Sequence, residues 1–211
     1  HIIEGMLIVP HDEVGFFGDL MFFRNSRTNA EEYILQIIEF NPTLVIGIDY
    51  LFWFAYGSTP SGLDPESYKF DRLNFALSLL DKIQAPLIIG DLPDVREAVG
   101  RMLSPSQVPD EPLLQSLNAR IYSWATLRGN VLVLPANEYW ERMVNDEEIT
   151  IMGYTWSEGS QARLLQGDML HTTLEGTVAA AMYIEEMLGT HVLETDPQTI
   201  MKNAAAEARK N

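Results

Sequence analysis

A chain of 211 residues, 46% of them hydrophobic, can bury one full core, and its composition excludes disorder, collagen-like repeats and coiled coil. Thirty acidic residues against 14 basic ones leave a formal net charge of -16, which disfavours nucleic acid backbones and anionic membranes as partners. The absence of cysteine excludes disulfides and thiolate metal sites, and no apolar run is long enough to span a bilayer.

A single domain over residues 1–211 is expected, with no assignment of compartment. The opening His1-Ile2-Ile3-Glu4-Gly5 has neither an initiator Met nor a signal-like core, and reads as a processed or truncated start. Met6 to Pro10 and Val14 to Phe17 are short apolar runs. The second is expected to be a strand delivering Gly18 at its carboxyl end, where open α/β sheets present backbone N–H groups. Asn29 is expected to cap a helix with Glu31 and Glu32 in its first turn and Tyr33, Ile34, Ile37 and Ile38 as its buried stripe, ended by Asn41-Pro42. Leu44 to Asp49 is nearly all apolar, the pattern of a strand buried on both faces of a parallel sheet.

After that strand comes an aromatic cluster of Tyr50, Phe52, Trp53, Phe54 and Tyr56, then a polar loop from Ser58 to Pro65. Helical spacing follows over Glu66 to Lys82, a strand and exit turn over Pro86 to Asp91, and a Pro/Ser-rich loop from Leu92 to Pro112. Leu113 to Leu127 reads as a helix and Val131 to Pro135 as a strand. Asn137 to Arg163 is less periodic, and the last helices are expected over Leu174 to Leu188 and Pro197 to Arg209. This alternation predicts a three-layer α/β sandwich with a mainly parallel sheet.

Gln166 to Gly176 carries the chemistry. Asp168 and His171 lie three residues apart just before the helix, so the acid can accept a hydrogen bond from one ring nitrogen and leave the other as a general base. That is two members of a nucleophilic hydrolase site. Asp91 and Asp94 flank a Pro and read as turn residues rather than metal ligands; His1, His11 and His191 have no partner pattern and read as surface. The aromatic cluster reads mainly as packing, although Trp53 and Tyr56 follow the strand whose end faces such a site and are candidates for an acyl or sugar pocket.

From Gly18 onward the chain resembles the SGNH (GDSL-type) hydrolase superfamily, flavodoxin-like enzymes that cleave mostly carboxylic esters. Asp168, His171 and Thr172 match its last block, Asp-x-x-His followed by a small residue or Pro; the resemblance makes Asp168 the orienting acid and His171 the base. Gly18-Asp19 stands where the family has its oxyanion-hole Gly. The third block, Gly-x-Asn-Asp in the family, reads Ile46-Gly47-Ile48-Asp49 here, so Ile48 replaces an amide donor, and Asn41 and Asn74 are too distant to substitute. The nucleophilic Ser of the first block has no counterpart and is expected upstream of residue 1. Taking Gly18-Asp19-Leu20 as that block would leave no room for the helix and strand that follow it in the family. The resemblance implies an ester hydrolase without metal or organic cofactor, acting on a small-molecule ester. The alternative is a non-catalytic relative that binds an acylated or carbohydrate ligand. A flavin or nucleotide site lacks a Gly-rich phosphate loop.

Overall fold

The computed structural model describes residues 2–19, 21–189, 194 and 196–209. The readings for His1, Leu20 and His191 lie outside the described residues. In chain order the elements are α1 (Ile2–Met6), a 3-10 turn (Phe22–Asn25), α2 (Ser26–Phe40), β1 (Val45–Gly47), α3 (Phe52–Ala55) and α4 (Pro65–Leu80). Then come β2 (Leu87–Gly90), α5 (Glu111–Thr126), β3 (Val131–Leu134), α6 (Ala136–Val144), β4 (Ile149–Ile151), β5 (Tyr154–Trp156), α7 (Gln161–Leu164), α8 (Leu174–Leu188) and α9 (Pro197–Glu207). The protein is thus mixed α/β. None of its described helices is long and apolar enough to cross a membrane.

Three of the longer helices begin with the same local chemistry. Asp64, Asp110 and Asp196 each accept a hydrogen bond from the backbone N–H three residues on, at 2.9–3.0 Å, and each helix has a Pro in its first turn. The carboxylate satisfies an orphan amide and favours the positive end of the helix, while Pro gives up an N–H that would be unpaired there.

The chain divides into two compact units, Gly15–Glu138 and a second made of His1–Val14 with Tyr139–Asn211. The first holds a parallel sheet in the order β1-β2-β3, with Val45 opposite Leu87 and Leu87 opposite Val131. All four residues of β2 are buried, as a central strand requires, whereas β1 and the first three residues of β3 are half-buried. Leu73, Ala76 and Leu77 of α4 and Leu117 and Ile121 of α5 are buried with them. Burial of each such Leu or Ile contributes about 1.5–3 kcal/mol. Gly90 ends β2 where the chain after β1 comes very close: a Cβ there would lie 2.4 Å from the Ile48 carbonyl oxygen.

Two expectations in this unit are corrected. Residues 8–19 form neither helix nor strand, so Val14 to Phe17 is not a strand and Gly18 does not end one. Val14, Phe16 and Phe17 meet the local preference for a strand, but with Gly15 among them and no paired neighbour the preference is not realised. Helix α2 begins at Ser26, three residues before Asn29, whose side-chain amide donates to the Phe22 carbonyl at 3.3 Å. Its inward line is Ser26, Ala30 and Ile34; Tyr33 and Ile37 are half-buried and Ile38 is exposed. Arg72 reaches the first residue of that line, donating to Ser26 Oγ at 2.9 Å.

In the second unit the stretch read as aperiodic folds into the antiparallel pair β4–β5. Met152 and Gly153 both have positive φ, the conformation of a two-residue hairpin loop. Helices α1 and α9 meet so closely that a Cβ on Gly5 would lie 2.6 Å from the Ala204 amide nitrogen, and Asn203 donates to the Gly5 carbonyl at 3.0 Å. Trp156 is fully buried.

Candidate functional site

Asp168 and His171 form the pair that their spacing predicts. Asp168 Oδ2 lies 2.8 Å from His171 Nδ1, while Oδ1 accepts the backbone N–H groups of Leu170 and His171, each at 3.0 Å. These bonds, led by the His171 amide, hold the Asp168 carboxyl down at about 2, so it is ionised and can only accept. Nδ1 is therefore the donor to Oδ2, and Nε2 is the ring nitrogen that the carboxylate does not engage. The imidazole is half exposed, and Nε2 has no hydrogen-bond partner among the described residues.

A closed loop carries the pair. Leu165 and Thr172 form an antiparallel bridge at its neck, and the Thr173 amide donates to the Leu164 carbonyl at 2.9 Å. Gln166 ties it from within: its amide donates to the His171 carbonyl at 2.8 Å, its carbonyl accepts from Met169 at 3.0 Å, and its Nε2 donates to the Thr172 carbonyl at 3.0 Å. Met169 takes a left-handed φ of +57° to turn the chain, and the residue is buried.

The loop is anchored by the helices on either side of it. Thr173 caps α8 by accepting from the Gly176 amide at 3.1 Å. A Cβ on Gly176 would stand 2.0 Å from the Leu164 carbonyl oxygen, so only glycine lets α7 and α8 approach this closely. Glu175, on the first turn of α8, accepts Trp156 Nε1 at 3.0 Å and pairs with Arg163 of α7. Of these supports only Thr172 was singled out in the sequence; Gln166, Gly176 and Glu175 act through hydrogen bonds and close approach, which leave no periodicity.

The remaining candidates belong to the other unit. Gly18 is exposed in an irregular stretch, so the strand end that made it a candidate N–H donor is absent. Tyr56 is buried, stacks on Phe52 with ring centroids 4.1 Å apart, and its hydroxyl donates to the Pro93 carbonyl. Trp53 is half-buried and stacks on the exposed Phe23, with centroids at 6.1 Å. Ile48 packs its Cγ2 methyl over Gly90 at the carboxyl end of the sheet, 3.3 Å from a Cβ built there.

Two cations that the sequence did not single out organise the aromatic cluster. Lys69 Nζ, on a side chain only 3% exposed, donates to the carbonyls of Ala55 at 2.8 Å and Gly57 at 3.0 Å. Arg72 donates to those of Trp53 at 2.7 Å and Phe54 at 3.2 Å. Together they satisfy the carbonyls of Trp53, Phe54 and Ala55 at the end of α3 and that of Gly57 just beyond it. Burial, then the nearby Arg72 charge, lower the Lys69 ammonium to about 8.

Asp91, expected in a turn, is a buried carboxylate at the end of β2. It accepts from the Asn137 amide at 2.7 Å and the Tyr122 hydroxyl at 3.0 Å. Burial pushes its carboxyl above the ordinary range, while the Asn137 and Tyr122 bonds pull it back. Asp94 pairs with Arg96. Among the described residues, no group of three or more His, Cys, Asp or Glu side chains is placed to hold a metal ion. Comparison with protein-family models, with curated proteins and with solved structures found no match.

Proposed function

We propose that the chain is an ester hydrolase of the SGNH type with a flavodoxin-like three-layer fold, in which His171 is the general base and Asp168 its orienting acid. The observation that carries this reading is the 2.8 Å contact from Asp168 Oδ2 to His171 Nδ1, with Nε2 left free on a half-exposed ring. In such a site Nε2 removes the proton of an attacking hydroxyl as its oxygen bonds to the ester carbon. It then returns that proton to the departing alkoxide, and water repeats the cycle on the acyl intermediate. Asp168 holds the ring in the tautomer this requires and stabilises the imidazolium formed midway. The parallel order β1-β2-β3 is compatible with the proposed fold. The engaged hydroxyl of Tyr56 leaves that residue a packing role.

A second reading, a non-catalytic binder of an acylated or carbohydrate ligand, is favoured by two specific observations. The family's amide-donor position is the apolar Ile48, and none of the three Gly-Asp pairs, Gly18-Asp19, Gly90-Asp91 and Gly167-Asp168, is followed by Ser. Removal of one oxyanion donor costs roughly 100- to 1,000-fold in rate.

Labelling with a fluorophosphonate probe, read by peptide mass spectrometry beside turnover of p-nitrophenyl butyrate, separates the two. In protein that carries the expected upstream Gly-Asp-Ser segment, the hydrolase reading expects a serine adduct and turnover that both disappear in His171→Ala, with the far-UV circular dichroism unchanged. Absence of adduct and turnover in that longer protein, or adduct and turnover undiminished in its His171→Ala variant, would overturn it.

A further inference from the structure

We infer that Gln166 is the positioning residue of the Asp168–His171 pair: its side-chain amide clamps the loop so that the Leu170 and His171 N–H groups point at the Asp168 carboxylate. The inference rests on the hydrolase reading for its catalytic meaning, but its geometry stands by itself. Gln166 is bonded to the loop through backbone N–H, backbone carbonyl and side chain together, as is His171 itself. Gln166 N reaches His171 O at 2.8 Å, Met169 N reaches Gln166 O at 3.0 Å, and Gln166 Nε2 reaches Thr172 O at 3.0 Å.

The three bonds divide the work. The two backbone bonds close the turn whatever side chain stands at 166. The Thr173 amide, on the Leu164 carbonyl, holds the next peptide unit by one edge. Nε2 holds its other edge, the Thr172 carbonyl, so that two neighbouring carbonyls, those of Thr172 and His171, are held from one residue. The His171 amide, on the other side of the same Cα, is the leading bond to Asp168 Oδ1, and the imidazole hangs from that Cα toward Oδ2. Holding the backbone at His171 therefore aligns both the amide and the ring with one carboxylate. Thr172 is held from its far side as well, its Oγ1 lying 2.8 Å from Thr177 Oγ1 on α8, so the clamp works against a fixed point. Gln166 is exposed, so replacing it opens no cavity.

The test compares the unaltered protein with Gln166→Met, which keeps the length and apolar stem but has no donor, and Gln166→Ala. Carbon-detected NMR gives the titration midpoint of the Asp168 carboxyl, and nitrogen shifts of the His171 ring report which nitrogen bears the proton. Both variants are expected to raise the Asp168 midpoint from about 2 by roughly half a pH unit, the equivalent of part of one hydrogen bond. They are also expected to give a His171 ring in mixed tautomers where the unaltered protein holds the proton on Nδ1. In a protein that turns over ester, kcat falls with KM little changed, because the clamp acts on the base and not on substrate. An unmoved Asp168 midpoint and an unmixed tautomer in both variants would overturn the inference. Moved NMR readouts in a chain with no turnover would support the clamp while counting against the hydrolase reading, so the two failures are distinguishable.

Discussion

Replacing Gly176 with alanine tests how the candidate site is held. The new Cβ would lie 2.0 Å from the Leu164 carbonyl oxygen, 2.9 Å from its carbon and 3.1 Å from the Leu164 Cα. All three are backbone atoms, so no rotamer change relieves the contact. Reaching even a 3.0 Å separation moves α7 and α8 apart by about 1 Å. Overpacking of this kind costs about 1–3 kcal/mol, and stretching the Thr173 to Leu164 hydrogen bond adds about 0.5–1.5 kcal/mol. The better helix propensity of alanine offsets about 1 kcal/mol, leaving a net loss near 2 kcal/mol. Urea denaturation followed by circular dichroism would read it as a lower midpoint, and thermal melting as a fall of roughly 4–8 °C. Gly129→Ala is the control, since a Cβ there meets nothing within 4 Å. If Gly176→Ala proves as stable as Gly129→Ala, the close approach of the two helices is not what the structure indicates.

Two further outcomes depend on pH. The Asp168 carboxyl lies below its unfolded value, so its bonds stabilise the folded chain above about pH 4, and that contribution is lost as pH falls toward about 2. Denaturation midpoints of the unaltered protein and Asp168→Asn should therefore converge across that interval; a constant difference would contradict the assignment. The Lys69 ammonium is lowered to about 8, so between pH 8 and about 10.5 the unfolded chain binds a proton that the folded chain does not. Stability should gain a rising component with pH over that window, and Lys69→Met should abolish it while weakening α3 through the loss of two carbonyl partners.

Short-range chemistry could be read from the chain, and contact-dependent structure could not. The strand expected over Leu44 to Asp49 forms at Val45–Gly47, that over Pro86 to Asp91 at Leu87–Gly90, and the helix at Leu174–Leu188 matches at both ends. Each combines apolar patterning with a cap or turn residue, so local preference and tertiary packing agree. Val14 to Phe17 shows the opposite case, a β-like run that finds no neighbour. The β4–β5 hairpin was hidden because its strands have only three residues each, and its turn uses Met152 at positive φ where Asn or Asp is usual. At the candidate site, the spacing of Asp168 and His171 was visible, while Lys69, an ordinary polar position on α4 by sequence, gave no sign of its burial.

The separation of only three residues between Asp168 and His171 has a consequence for how the site assembles. An acid and base brought together from distant strands must first overcome the entropy of closing a long loop, a cost that grows with the number of residues enclosed. Here Leu165 and Thr172 close a short loop around the pair, so its formation draws on contacts that a chain makes within about 10–100 ns. The pair is in this sense a portable cassette. Its geometry is written almost wholly between Leu164 and Thr177, and substitutions elsewhere in the chain are free to reshape what surrounds it without separating the carboxylate from the ring.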